Sequence, residues 1–477
     1  MARTTSTSPR PTLRVIRAGA VVAACAIASA LLCVLPQQAE ALPDIPAKRF
    51  QPATSCTCHG QQRDEWALSM HAKALYDPVY VVKKGEANKA TGGSLGTLCD
   101  TCHTPIGTMA GQTTGESKLS PQSKEGVTCD FCHQVTGTKK PIRNASQKLR
   151  ANGTKRAQYP DSSAPTHKNA LSKFHTTAEF CGACHTLKHP TTGVMLDTTY
   201  PEWKAGPYAA LGIVCQDCHM SARPGGGPTV GRAAPMGPIR NFVYLMNFVG
   251  ANVPLGNAPR ARMNLKAAAR VSLEASDVVE PGTTGSVKVT VANVGAGHYI
   301  PAGVAEIRQM WLEVNAVSPD GTKRLLGRRQ FGTVYRDAEG RYPVQLWDAV
   351  AVQSDDRIPP KDAVHSTYDF PMATDGGVTV EAVLNYKSFP EELAKKARVE
   401  NPVTEMARAQ KVIYGSKQAK RRAERGASVS TSQLVIGAAA LLLGVLIAAG
   451  VVFALVRRRR RRKARTVPEY FGGDRTT

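Results

Sequence analysis

Two things that build most soluble proteins are scarce in this chain. Of its 12 cysteines, Cys25 and Cys33 lie in an N-terminal apolar segment and the other ten form five close pairs, so none is left for a disulfide framework or a lone redox thiol. Long periodic apolar runs are few between Cys56 and His219, where glycine, proline and short polar segments dominate. That excludes a core of long amphipathic helices there. Acidic residues are also short, 37 against 61 basic, for a net charge of +24. The excess does not imply a nucleic-acid surface. The tail from 457 to 477 alone holds nine basic and two acidic residues, and the stretch 391–433 is basic as well.

What is present is a repeat. Cys99/Cys102-His103, Cys129/Cys132-His133, Cys181/Cys184-His185 and Cys215/Cys218-His219 each put a histidine directly behind a cysteine pair, and Cys56/Cys58-His59 is a tighter variant. Zinc ribbons and disulfide scaffolds also use paired cysteines, but neither needs a histidine immediately after the pair. In Cys-x-x-Cys-His two thiols one helical turn apart can add to the vinyl groups of a porphyrin while the imidazole takes its iron, which is the signature of covalent c-type haem. Five haem c groups are therefore expected, held by these ten cysteines and by His59, His103, His133, His185 and His219. Their propionate charges would bring the folded domains near neutrality. Nearly all the charge that remains is then outside them.

The first motif is the irregular one. Two positions apart on an α-helix, Cys56 and Cys58 point about 200° away from each other. Either the backbone leaves the helix so that both thioethers form, or Cys58 attaches alone with Ser55 in the usual place of the first cysteine.

The ends of the chain indicate a compartment. Arg3, Arg10, Arg14 and Arg17, the apolar stretch Ala18 to Leu35 and Ala39-Glu40-Ala41 read as a signal peptide over 1–41, with Val22-Ala23-Ala24-Cys25 as a weaker lipoprotein-like alternative. Leu434 to Val456 is an uncharged run long enough to cross a bilayer, followed by Arg457 to Arg462, Lys463 and Arg465. The expected order is a cytochrome domain over 42–267, mainly helical and irregular, an antiparallel β-sandwich over 268–389, a charged stalk over 390–433, one transmembrane helix over 434–456 and a basic cytoplasmic tail over 457–477. The haems would face outward, periplasmic or at the cell surface. Within the first domain a helix is expected around Asp64 to Leu75. The sandwich rests on alternation at Val287, Val289 and Val291, on Trp311 to Val317 before the turn Ser318 to Thr322, and on Val378 to Leu384 after Gly376-Gly377. Asn144-Ala-Ser and Asn152-Gly-Thr are taken as accidental glycosylation triplets.

An iron with histidine on both sides passes electrons, whereas one with an open face can bind a substrate. The histidines outside the motifs are His71, His167, His175, His189, His298 and His365. The first five are the candidate distal ligands, with His365 the weakest of the six. Met70, Met109, Met195 and Met220 are further thioether candidates.

Several segments resemble a known group. Glu65-Trp66-x-x-Ser69-Met-His71-Ala, Glu125-Gly-Val-Thr-Cys129, His175-Thr-Thr-x-Glu-Phe-Cys181, Tyr200-Pro-Glu-Trp203 and Cys215-Gln-Asp-Cys218-His219-Met are similar to the multihaem cytochromes related to hydroxylamine oxidoreductase and its tetrahaem electron-accepting cytochrome. Gly297-His298-x-x-Pro301-x-Gly303 resembles a β domain attached to some of them. The resemblance spans about Cys56 to Phe389 and implies distal roles for His71, His175 and His298. Nitrite-reducing relatives carry a lysine in one motif, and no Cys-x-x-Cys-Lys occurs here. Gly206-Pro207-Tyr208 after Trp203 leaves one distal ligand unassigned, so one open haem is expected to be possible.

The expected function is electron relay by a membrane-anchored pentahaem cytochrome, with redox proteins or a quinol-linked membrane complex as partners and no nucleic acid. The rival is a reductase or oxidase of a small nitrogen or sulfur species at a five-coordinate haem. A third reading makes the β domain a docking module.

Overall fold

The computed structural model describes residues 42–425 apart from 94, 96 and 115–117, together with 446, 449, 450, 452 and 453. The expected signal peptide and basic tail lie outside the described residues, as does nearly all of the expected transmembrane run. Among the described residues, no helix is long and apolar enough to cross a membrane.

From Leu42 to Ala268 the chain forms short helices joined by turns and two-stranded ribbons. Here the longest helix is Pro78–Thr91, started by Asp77, whose side chain accepts from Val79 N, and stopped by Gly92 in the left-handed region at φ 58°. The helix expected around Asp64 to Leu75 is broken. Gly60–Ala67 ends at Leu68, and Ser69 then caps a new turn, Met70–Lys73, by accepting from Ala72 N at 3.3 Å. A serine hydroxyl satisfies an orphan N–H better at a helix start than inside one.

From Ala269 the chain is a sandwich of two antiparallel sheets. Strands β1 (Ala269–Ala275), β2 (Thr284–Asn293), β3 (Gln309–Val317), β4 (Lys323–Phe331), β5 (Ala363–Pro371), β6 (Val378–Lys387) and β7 (Thr404–Ile413) assemble in the orders β5-β2-β1 and β4-β3-β6-β7. Val287, Val289 and Val291 of β2 face Met310, Leu312 and Val314 of β3 and Val380, Ala382 and Leu384 of β6 in one buried cluster. Period-two alternation puts every second side chain inward, as the sequence predicts. Strand β6 is buried on nearly its whole length, and its Glu381 is held by Arg408, by Lys323 at 3.2 Å and by Gln410 at 2.8 Å.

The charged stalk expected over 390–433 is corrected by this arrangement. Glu391–Ala397 is a helix packed on Pro78–Thr91 through Leu393, Ala394 and Ala397, and β7 pairs with β6 from Tyr386↔Thr404 to Val378↔Ile413. The strand hides in its composition: Thr404, Met406 and Ile413 turn inward while Glu405, Arg408 and Gln410 turn out. Alanines at 407 and 409 supply the rest of the inward face, so alternation of small and charged residues passes for a charged helix.

Candidate functional site

One cavity of about 1490 Å³ runs through the cytochrome region and is lined by all five motif histidines and the ten paired cysteines. None of those ten forms a disulfide. The motifs lie next to one another through their thiols. Neighbouring thiols shift one another's acidity: Cys129 lowers that of Cys56, Cys184 raises that of Cys102, Cys215 raises that of Cys181, and burial with the nearby Cys184 pushes Cys132 up to about 12. The site at His59 thus adjoins that at His133, which adjoins the one at His185. From His185 the contacts divide toward His103 and His219.

Four of the five motif imidazoles face a second imidazole. The ring centroids are 6.4 Å apart for His59 and His167, 6.3 Å for His185 and His71, 5.8 Å for His133 and His175, and 6.2 Å for His219 and His298. An iron bound by two imidazoles needs about 2.0 Å to each nitrogen and about 1.1 Å more to each ring centre, or about 6 Å in all. The observed gaps fit that requirement.

The backbone sets which nitrogen faces the gap. Nδ1 of His59, His133 and His219 lies 2.7–2.8 Å from the carbonyls of Ala233, Arg156 and Val249, and His103 Nδ1 is 2.7 Å from Ala74 O. Each such bond takes the N–H at Nδ1 and leaves the Nε2 lone pair for a metal, the tautomer that a ligating histidine needs. His298 Nδ1 does the same with Tyr299 O at 2.9 Å. His175 differs: Nδ1 meets Ser172 Oγ at 2.9 Å and Nε2 meets Cys132 O at 3.0 Å, so its ring must give up the second contact to face a metal. Burial lowers the His71 pKa to about 3, with help from His185, His103 and His219, and lowers those of His175 and His219 to about 4. All three are neutral in the fold, which is the ligating form.

The loop Gly295 to Gly303 delivers His298 from the β domain. Gly297 lies between Trp203 and Tyr208, where a Cβ would sit 3.5 Å from each, and the Tyr208 hydroxyl donates to Val294 O at 3.3 Å. Tyr208 of the Gly206-Pro207-Tyr208 segment therefore clamps the loop that carries His298.

Among the described residues, His103 has no such partner. Its face is covered by Tyr80, with ring centroids 3.7 Å apart and planes 6° from parallel, and the Tyr80 hydroxyl donates to Asp100 Oδ1 at 2.7 Å. Lys84 closes the group by donating to both Asp100 oxygens at 2.6 and 2.7 Å. Contact this close, face to face, leaves no room for iron between the rings. Tyr80 therefore flanks the imidazole and does not oppose it.

Among the candidate distal ligands His189 stands apart, with a buried Nε2 that has no hydrogen-bond partner. It is buried and lines the cavity, yet its Nδ1 accepts from Thr191 N at 3.3 Å and Thr192 N at 3.2 Å. An Nδ1 acceptor puts the proton on Nε2, the opposite of what the ligand-type histidines show, and no motif imidazole faces it. His365 lies on β5 with Nδ1 2.9 Å from Thr290 Oγ1, remote in role from the cavity. Met70 and Met220 line the cavity, whereas Met109 is buried in a separate cluster with Ile106 and Phe131. Sequence reading missed Tyr80 and the four carbonyl partners. A carbonyl carries no residue signature, and a tyrosine in a helix reads as packing.

In the first motif the backbone does leave the helix. Cys56, at φ −82° and ψ 48°, precedes a 3-10 turn Thr57–His59, with Cys56 half-buried and Cys58 exposed.

Comparison with known proteins agrees with this geometry. Residues 55–134 match the family described as cytochrome c554 and c-prime. A penta-heme cytochrome c552 from Thermochromatium tepidum superposes with a TM-score of 0.58 at 20% identity, over 77% of this chain and 100% of the other. The CARDB domain of a Pyrococcus furiosus protein aligns to 31% of this chain and 85% of its own at 16% identity, but at a TM-score of 0.18 it carries no argument. No curated protein matches the chain. With its motif-lined cavity, its paired imidazoles and these two matches, the chain is a multihaem c-type cytochrome with the fold of that penta-heme protein, and its first three motifs lie in the stretch that matches cytochrome c554 and c-prime.

Proposed function

We propose that the protein relays electrons through five covalently bound haem c groups. Each bound haem would supply one-electron exchange between ferric and ferrous iron. The carrying observation is the set of four imidazole pairs at 5.8–6.4 Å. His59 with His167, His133 with His175, His185 with His71 and His219 with His298 would close both faces of four irons, which suits transfer and excludes exchangeable ligands. The paired cysteines tether, the motif imidazoles bind from one side, and the carbonyls of Ala233, Ala74, Arg156 and Val249 orient them. The thiol contacts support a path from the His59 site through His133 to His185, dividing there toward His103 and His219.

A second reading is favoured by His103 alone. With no opposing imidazole, its haem would be open to a small nitrogen or sulfur species, making the protein a reductase or oxidase rather than a relay alone. The relation to hydroxylamine oxidoreductase belongs to the same reading.

The location is part of the proposal. Export by the 1–41 segment, anchoring by 434–456 and a cytoplasmic tail would place the haems outside the cytoplasmic membrane, near quinol-linked complexes or soluble redox proteins, with no role for nucleic acid. The support is the sequence of those segments.

Mass spectrometry of the purified holoprotein tests the central statement. Five haem additions, with thioethers at Cys56 and Cys58 resolved by peptide, are expected. Retained zinc or a colourless protein, made in a host that matures c-type cytochromes, would end it.

A further inference from the structure

The ribbon formed by Thr229–Arg232 and Ile239–Val243 is built into one end of the relay yet has an uncovered outer side. Its turn holds the site: Ala233 O is 2.7 Å from His59 Nδ1, and Arg232 O accepts from Gln62 Nε2 at 3.1 Å. On the other flank Gln158 and Tyr159 donate to Phe242 O at 2.9 and 2.7 Å, and Arg240 pairs with Asp161 at 2.8 Å. These contacts bind the ribbon to the segment that carries His167.

Outward it shows Val230, Met236, Ile239 and Phe242, exposed by 67, 95, 64 and 44%. Four large apolar side chains gathered on one ribbon are a patch rather than scattered surface residues. Met236 also lines the rim of the haem cavity.

The surrounding charge is mostly of one sign, and the acids beside the ribbon are engaged, Asp161 by Arg240 and Asp217 by the Tyr244 hydroxyl. No acidic residue occurs between Asp217 and Glu274, a stretch that includes Arg223, Arg232 and Arg240. Residues 139–173, which supply the Arg156 carbonyl, His167 and the Tyr159 support, hold nine basic residues against the single acid Asp161.

We propose that this surface docks a small acidic electron-carrier protein, which exchanges electrons with the haem between His59 and His167. The apolar patch gives contact area and the basic surround steers an acidic partner, the usual division of labour in a transient interface. A lipid surface would also accept basic and apolar groups. It has no use, however, for a contact whose own backbone bonds the ligand of a terminal redox site, and that bond favours a redox protein. In the exchange the carrier would lose one electron and a haem held between His59 and His167 would gain it, with no bond formed or broken.

The inference rests on a haem being held at His59, so the haem content of each variant is counted first. The full-length holoprotein in detergent is mixed in stopped flow with flavodoxin hydroquinone, an acidic probe. The second-order rate should fall about tenfold between about 20 and about 300 mM salt, as for steered association. At low salt the Val230→Glu/Ile239→Glu double variant, at two exposed ribbon positions outside the cavity lining, should be slower by about tenfold, with haem content and reduction by dithionite unchanged. Leu325→Glu/Val352→Glu, which adds the same charge on exposed positions of the β domain, should stay within about twofold of the parent.

Equal slowing by both double variants, or none by the first, overturns the docking site. So does a Val230→Glu/Ile239→Glu protein that loses binding to phosphatidylglycerol vesicles while its rate is intact, since the patch is then a lipid contact. A parent protein that lacks haem at Cys56 and Cys58 removes the underlying assignment instead, a result visible in the haem count before any rate is read.

Discussion

Tyr80 lies flat on His103, 3.7 Å from it centre to centre, and anchors its hydroxyl on Asp100 inside the same motif. The one motif imidazole without a facing imidazole is thus held by an aromatic ring and a carbonyl, from Tyr80 and Ala74, on its protein side. A haem held by His103 would, on the second reading, keep its other face open.

The first prediction concerns that face. Reduced holoprotein should bind carbon monoxide at about one haem in five, and the ferric protein should show a high-spin signal of matching size. Tyr80→Leu, which removes the ring stack and the bond to Asp100, should alter this signal and leave the low-spin signals alone. A carbon monoxide-inert protein would eliminate the open site and, with it, the reductase reading.

Removing a facing imidazole should create further open haems. His167→Ala and His298→Ala are each expected to convert one low-spin haem to a high-spin, carbon monoxide-binding one, and the double variant two. His189→Ala should change neither count, because its Nδ1 accepts backbone N–H bonds and its Nε2 faces no motif ring. A spectral change in that variant as large as in the other two would restore His189 as a ligand.

The loop that delivers His298 is sensitive to one methyl group. A Cβ on Gly295 would lie 2.1 Å from Ala267 O and 3.0 Å from its carbonyl carbon, and both are backbone atoms. Gly295→Ala should cost about 1–3 kcal/mol of stability and raise the high-spin fraction through loss of the His298 contact. Thermal unfolding followed beside the Soret band reads both effects, and an unchanged midpoint would refute the steric argument.

Acid–base behaviour centres on Glu306. Burial raises its carboxyl to about 7 against the opposing effect of Lys83, and Oε1 has no hydrogen-bond partner. The folded value exceeds the unfolded one, about 4.3, so the fold favours the protonated acid. The stability this group contributes is complete below about pH 4 and is lost as pH rises to about 7. Glu306→Gln should flatten that slope, matching the parent at pH 4 and melting a few degrees higher at pH 8. An identical pH dependence in both proteins would exclude Glu306 as its source.

Much of the chemistry was legible because it is local. The cysteine pair and following histidine sit within one turn, so spacing alone brings them to one porphyrin edge. The valines of β2 alternate within one strand, so their inward face is visible without the rest of the sheet. Strand β7 was misread because its inward positions are mostly alanine between charged neighbours. The break at Ser69 was missed because a cap and a helix interior differ only by which N–H the hydroxyl meets.

By itself, the sequence determined the ten thiols, the five motif imidazoles, the pool of further histidines and the change to β structure near Ala269. Tertiary structure alone decided that His71 opposes His185, that His298 reaches from the β domain to His219, and that, among the described residues, no second imidazole faces His189 or His103. The physical reason is range. A ligand pair is a distance of about 6 Å between segments remote along the chain, set by packing and by backbone carbonyls that every residue type possesses.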